Sequence, residues 1–275
     1  MAPSIRIIQN CYLPEQLQDC TFESHFNPIP SPLDERYLFC ESNVIRQLVL
    51  EGSHHGYDYF GVLGHAWIAK LRESREWGIP IKNVSQAQLT AAGLIAYVQS
   101  CEGVDFVSFG RFISHRVFQI AEQTHPGWRA ATSRILGSLG IRYDLDRVIT
   151  SPIYFNFFVG RSPCLEAYVR ELLSPAIEAA VHDPEIRKLC LADAGYFRHW
   201  SHDLSHHFRI NHYPLHPFIG ERLINIYIDL AGSSVSSYDQ EWGPLSRWAA
   251  KARLGVYQAH WHLREARLRR QAQRR

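Results

Sequence analysis

The sequence predicts an α/β fold, a mixed sheet flanked by helices, with a helical extension at the C-terminus. Three observations predict it. Short continuous apolar runs recur along the chain, each bounded by glycine, proline or charge, as expected of strands buried on both faces. Segments of helical apolar period separate these runs, which is the alternation of an α/β protein. The composition, 46% hydrophobic and 20% charged over 275 residues, is enough to build one large core.

The first run, "IRIIQNCY" (Ile5 to Tyr12), is β-prone and lies close to the start, as the first strand of a sheet. "NPIPSPLDE" (Asn27 to Glu35) is proline-rich and polar and reads as a loop. "RYLFCESNVIRQLVLEG" then spaces Leu38, Val44, Ile45, Leu48 and Val49 in a mainly helical period that stops at Gly52. In "YDYFGVLGHAWIAKL" (residues 57 to 71), "YFGVLG" reads as a buried strand, and "AWIAKLRES" returns to helical spacing. "SQAQLTAAGLIAYVQSC" reads as an amphipathic helix before a strand at Val104 to Gly110. A further strand is predicted at Pro152 to Arg161, with the helix "SPCLEAYVRELLSPAIEAAV" after it, Ser162 as N-cap and Pro163 at the first helical position. "HPFIGERLINIYIDLAG" places Ile219, Leu223, Ile226 and Leu230 on one helical face and ends near Gly232. "GSSVSSYDQEWGP" is a linker by composition. A last amphipathic helix from about Leu245 aligns Leu245, Trp248, Ala252, Val256, Ala259 and Leu263. The expected organisation is one domain over residues 1–232, then a linker and a basic helix over 233–275.

The formal net charge of +2 conceals an asymmetry. Residues 241–275 hold nine Lys/Arg against Glu241 and Glu265, net +7, which leaves −5 for the rest. Such a tail suits an anionic membrane surface or nucleic acid, or is simply a solvated helix end. Six cysteines, Cys11, Cys20, Cys40, Cys101, Cys164 and Cys190, show no C-x-x-C pair and read as reduced, mostly buried thiols. No apolar run reaches the roughly 20 residues needed to cross a bilayer, and "MAPSIRIIQN" lacks the pattern of a signal peptide. The expected location is the cytoplasm, with a peripheral position on the inner membrane face if the tail binds lipid.

Six of the fifteen histidines fall within "HWSHDLSHHFRINHYPLH". His202 and His206 are one helical turn apart, a spacing like that of H-E-x-x-H zinc sites, but Asp203 is a methylene shorter than the usual glutamate and no third ligand is evident. Hydrogen-bonded surface histidines and contacts to a diphosphate are the other readings. There is no Walker loop, no G-x-G-x-x-G and no G-x-S-x-G, which argues against P-loop kinases, typical dinucleotide dehydrogenases and α/β-hydrolases. Polar and aromatic residues at strand ends remain, where open sheets bind ligands.

Four segments in order resemble bacterial capsular-polysaccharide glycosyltransferase-like proteins of the GT-A type: "NPIPSPLDERYLFCESNVIRQL", "YDYFGVLGHAWIAKL", "YFNFFVGRSPCLEAYVREL" and "HPFIGERLINIYI". The resemblance spans Asn27 to Ile228. It implies a nucleotide-sugar donor, with Glu41, Asn43, Asp58, Tyr59, His65, Lys70, Asn156 and Arg222 on the donor side and Glu221 as the general base. It also departs from the family. Where many such enzymes carry Asp-x-Asp to hold a divalent metal, this strand ends Gly64-His65-Ala66-Trp67, and Trp67 and Ile68 replace paired basic residues. The diphosphate charge would then fall to His65, Lys70 or Arg72, with a divalent metal not required by the motifs.

Glu221, after Pro-Phe-Ile-Gly, is expected at the start of a helix whose N-terminus favours its anionic form; a structural Glu221–Arg222 pair is the other reading. Asn156 is expected inside an aromatic strand, where its amide needs a sugar hydroxyl or a backbone group. Glu41, Ser42 and Asn43 form a polar cluster or a helix cap. The implied function is sugar transfer to a glycan or lipid-linked acceptor in surface polysaccharide synthesis. A DNA-modifying glycosyltransferase of phage type, a nucleic-acid-binding module, a His-rich zinc hydrolase and an inactive sugar-nucleotide-binding protein stay open.

Overall fold

Six strands, β1 (Ile5–Cys11), β2 (Glu23–Phe26), β3 (Tyr59–Gly64), β4 (Phe106–Ser108), β5 (Phe158–Arg161) and β6 (Val235–Ser237), form one sheet in the order β2-β1-β3-β5-β4-β6. The structure, a computed structural model, describes residues 2–28, 34–65, 67, 91–109, 114–196, 210 and 212–237. β1 pairs in parallel with β2 and β3, β4 pairs in parallel with β6, and β5 runs antiparallel between β3 and β4. The described helices are α1 (Glu41–Leu50), α2 (Ala91–Ser100), α3 (Val117–Thr124), α4 (Trp128–Ser138), α5 (Ser162–Tyr168), α6 (Ser174–His182), α7 (Pro184–Cys190) and α8 (His216–Ala231). The fold is therefore α/β, with a mixed sheet.

The uninterrupted apolar runs have a direct cause. Side chains alternate across a strand, and here each face meets its own core. Ile8, Phe60, Val62, Phe106 and Phe158 join one cluster with residues of α1 and of α3 to α8. Their neighbours Ile7, Tyr59, Leu63, Val107 and Val159 join a second with Leu94, Tyr97 and Val98 of α2. The two edge strands gave no such signal. β2 carries mostly exposed residues, and β6 is a serine-rich piece of the segment that composition marks as linker.

Three local expectations are corrected. The strand expected from Pro152 begins only at Phe158, because Phe155 takes φ 59 and breaks extended geometry just before Asn156. The preceding backbone is held instead by Asn225 of α8, whose side chain accepts from Ile153 N at 2.7 Å and donates to Ile153 O at 2.8 Å. Ser162 is the first helical residue rather than the N-cap, and its hydroxyl donates to the carbonyls of His54 and Tyr57. The helix it opens continues into α6 through a π turn at Val169–Leu173. Pro175 lies two residues beyond that turn, and proline lacks the N–H that a regular α-helix would use there.

α8 ends as expected, with Gly232 at φ 64 closing it. Among the described residues no helix is long and apolar enough to cross a membrane. The six cysteines are free thiols, three buried and three half-buried. Cys11 and Cys20 lie with Sγ atoms 3.2 Å apart, and burial with the neighbouring thiol pushes Cys11 up to about 12.

Candidate functional site

The chain leaves β1 toward β2 on one side and leaves β3 toward the other half of the sheet, so the connections diverge outside the carboxyl ends of these two adjacent parallel strands. This is a topological switch point, where open α/β sheets bind ligands. β1 delivers Asn10 and Tyr12 here, and β3 delivers Gly64 and His65. Because β5 is antiparallel, Asn156 arrives at the same end just before the strand begins. α1 starts there too, with Glu41, Ser42 and Asn43 in its first turn.

Packing draws these groups together. A Cβ on Gly64 would collide with Glu41 Oε1, so the carboxylate rests against the end of β3 only because the residue is glycine. Asn156 Nδ2 donates to Ser42 Oγ at 3.0 Å. That same oxygen would be 2.6 Å from a Cβ on Gly220, so α8 crosses α1 in close contact. Tyr12 and Tyr37 meet edge to face at 5.8 Å. On the other face Gln9 donates to His65 O at 2.9 Å, and Gln16 Nε2 sits 3.1 Å from His65 Nε2, which fixes the exit of β3.

Two residues beside the site hold positive φ without being glycine. Cys40 (φ 51) immediately precedes Glu41, and Phe155 (φ 59) immediately precedes Asn156. Such conformations cost of order 1–3 kcal/mol each and cluster at functional positions. The same region concentrates buried polar atoms with no hydrogen-bond partner among the described residues: Asn10 Oδ1 and Nδ2, Tyr12 OH, Tyr37 OH, Asn43 Oδ1, both ring nitrogens of His216, and Arg222 Nε. An unsatisfied buried group costs about 1–3 kcal/mol, so their concentration beside the crevice is not explained by packing.

The electrostatics are uneven. Burial, with Glu41, Cys40, Tyr37 and Tyr213 adding to it, raises Tyr12 well above the usual phenol range, so it stays a neutral donor. Burial and then Cys40, Glu41, Tyr196 and Glu221 raise Tyr213 in the same way. Arg222 is buried and pairs with Glu221. Its charge, after burial itself, helps drive His125 down to about 3. Glu41, half-buried, pairs with no cation among the described residues.

The residues singled out in the sequence separate accordingly. Glu41, Asn43, His65 and Asn156 meet at the carboxyl ends of the strands, with Glu221 and Arg222 on the neighbouring α8. Asp58 and Tyr59 sit at the opposite end of β3, and their partners are structural. Asp58 accepts from Ser4 N at 2.7 Å and Ser4 Oγ at 2.8 Å, and Tyr59 OH donates to Val104 O at 2.8 Å. Glu221 is not at a helix N-terminus, because α8 already begins at His216 and Pro217 to Gly220 are helical; the dipole of the first turn does not reach it. Asn156 lies in a turn, not a strand. Lys70, Arg72, His202, His206 and the basic segment 245–275 lie outside the described residues. Asn10, Tyr12, Tyr37 and His216 were missed. A polar pair directly after the first apolar run, Asn10 and Tyr12, was the available signal for two of them.

The chemistry on offer is that of amides, which donate and accept, phenols that donate, and a carboxylate that accepts, a set suited to a ligand rich in hydroxyls and ring heteroatoms. Comparison with protein-family models, with curated proteins and with solved structures returns no match.

Proposed function

We propose that the chain is a GT-A-like glycosyltransferase that moves a sugar from a nucleotide-sugar donor to a glycan or lipid-linked acceptor in surface polysaccharide synthesis. The observation that carries this reading is the band of buried polar atoms with no hydrogen-bond partner among the described residues, on Asn10, Tyr12, Tyr37 and Asn43, at the switch point between β1 and β3. The order of segments quoted above supplies the reaction class. The acceptor oxygen bonds to the anomeric carbon as the bond from that carbon to the diphosphate breaks. The nucleoside diphosphate leaves with the electron pair, and a carboxylate takes the acceptor's proton.

Glu41 suits that role better than Glu221. A carboxylate paired with Arg222 is the weaker base, whereas Glu41 faces the crevice without a cation among the described residues. Glu221 and Arg222 then position the wall of the site. The basic segment 245–275 would keep the enzyme at an anionic membrane face where lipid-linked acceptors reside.

The test is thermal denaturation with UDP-, GDP-, CMP- and dTDP-sugars, each with Mn²⁺ and with EDTA. One nucleotide class should raise the midpoint, by the equivalent of about 2.7 kcal/mol at a hundred times its Kd. Asn10→Ala should abolish the shift while leaving a folded protein. No shift with any donor, or a shift unchanged in Asn10→Ala and Glu41→Gln, refutes the reading.

A further inference from the structure

The opposite end of β3 carries a second concentration of chemistry, in the turn between α1 and β3. His54 and His55 are consecutive there, flanked by Gly52 at φ 80 and Gly56 at φ 81. These left-handed positions let the turn fold back, so that the two imidazoles lie with centroids 4.4 Å apart instead of diverging. The room is made by glycine. A Cβ on Gly52 would lie 2.8 Å from His55 Nδ1.

The first turns of α5 close the third side. Ser162 donates to the carbonyls of His54 and Tyr57 and fixes the helix against the turn. Glu166, one turn further on, brings Oε2 to 3.2 Å from His54 Nε2. One ligand atom from each of His54, His55 and Glu166 lies within 4.8 Å of the others. His54 is 2% exposed, and its Nδ1 has no hydrogen-bond partner among the described residues. Among the described residues the one Lys or Arg paired with Glu166 is Arg170, whose side chain is mostly exposed and can swing away.

We propose that His54, His55 and Glu166 form a metal site for a borderline divalent ion of the Zn²⁺ class, with a fourth position open to water. Two imidazoles and one carboxylate are a donor set that zinc takes in open sites, and nitrogen ligands disfavour Mg²⁺ and Ca²⁺. Small contractions complete the coordination, since His55 is exposed and Glu166 half-buried and both can adjust around a fixed His54. The ion would tie the end of α1, the start of β3 and α5 together. It lies roughly 17 Å from the crevice, counting about 3.3 Å per residue along β3, so it stands independently of the function proposed above.

The experiment is equilibrium dialysis of the full chain against Zn²⁺, with Mg²⁺ as control, and Co²⁺ substitution read by its visible d–d absorption. His55→Ala and Glu166→Gln are compared with His202→Ala/His206→Ala, which removes the other histidine pair. His55 is exposed, so its variant should keep the fold, and circular dichroism checks this. The expected result is one equivalent of Zn²⁺ that survives His202→Ala/His206→Ala. That equivalent, with its Co²⁺ band, should weaken in His55→Ala and Glu166→Gln by at least the ~10–100-fold that even an outer-shell change costs. Zn²⁺ binding of equal stoichiometry and affinity in wild type, His55→Ala and Glu166→Gln would overturn the proposal, as would no Zn²⁺ bound at all.

Discussion

Replacing Asn225 by alanine should be among the most damaging single changes in this chain. Asn225 is fully buried in α8, and its amide closes both backbone groups of Ile153, accepting from the N–H at 2.7 Å and donating to the carbonyl at 2.8 Å. Alanine removes both partners and supplies none. Each buried backbone group left unsatisfied costs about 1–3 kcal/mol, so the two together amount to roughly 2–6 kcal/mol, lowered if water enters the space. At about 2–4 °C per kcal/mol for a domain of this size, the melting temperature should fall by roughly 4–24 °C. Urea denaturation provides the measurement, with the midpoint falling and the slope unchanged. Because Ile153 leads through the strained Phe155 to Asn156, folded Asn225→Ala should also lose donor binding. A destabilisation below about 1 kcal/mol would show that the amide is not what holds this segment, and the reasoning would fail.

Stability should also fall in mild acid. Burial and then Arg222 hold His125 down to about 3, and burial and then Arg187 hold His216 down to about 3, against about 6.5 unfolded. The unfolded chain therefore binds protons that the folded chain refuses, so this contribution is full above pH 6.5 and is lost as pH falls toward 3. The loss is on the order of 1.4 kcal/mol per pH unit for each histidine, and urea midpoints at pH 7.5 and 5.5 would reveal it; a flat profile contradicts the burial argument. Gly64→Ala should lower stability by about 1–3 kcal/mol by forcing Glu41 away from β3, and Gly64→Ala combined with Glu41→Ala should recover part of that in a double-mutant cycle. In transfer assays Glu41→Gln should lower kcat by about 10²–10⁴ while Glu221→Gln changes it less, and the reverse order would return the base to α8.

Much of this was legible from local pattern. The continuous apolar runs of β1 and β3 arise because both faces of those strands are buried, and burial leaves its mark residue by residue. The period of α1 and the Gly232 stop of α8 are equally local signals. β2 and β6 were not legible, since an edge strand is held by backbone pairing and needs little apolar side-chain surface. The candidate site was legible only in part. Glu41, Asn43 and Asn156 stood out as polar residues beside apolar segments, but Asp58 stood out for the same reason and proved to cap the far end of its strand.

The sequence by itself determined the alternation of strand and helix and the residues able to carry chemistry, because these depend on neighbours a few positions away. Only the tertiary structure decided which end of the sheet each residue occupies. The antiparallel course of β5 brings Asn156 to the end where β1 and β3 finish, and the start of α8 at His216 moves Glu221 away from a helix terminus. Left-handed turns at Gly52 and Gly56 fold His54 and His55 toward Glu166, more than a hundred residues away along the chain. Strand direction and long-range closure are set by how the whole core packs, and no local window of sequence contains that information.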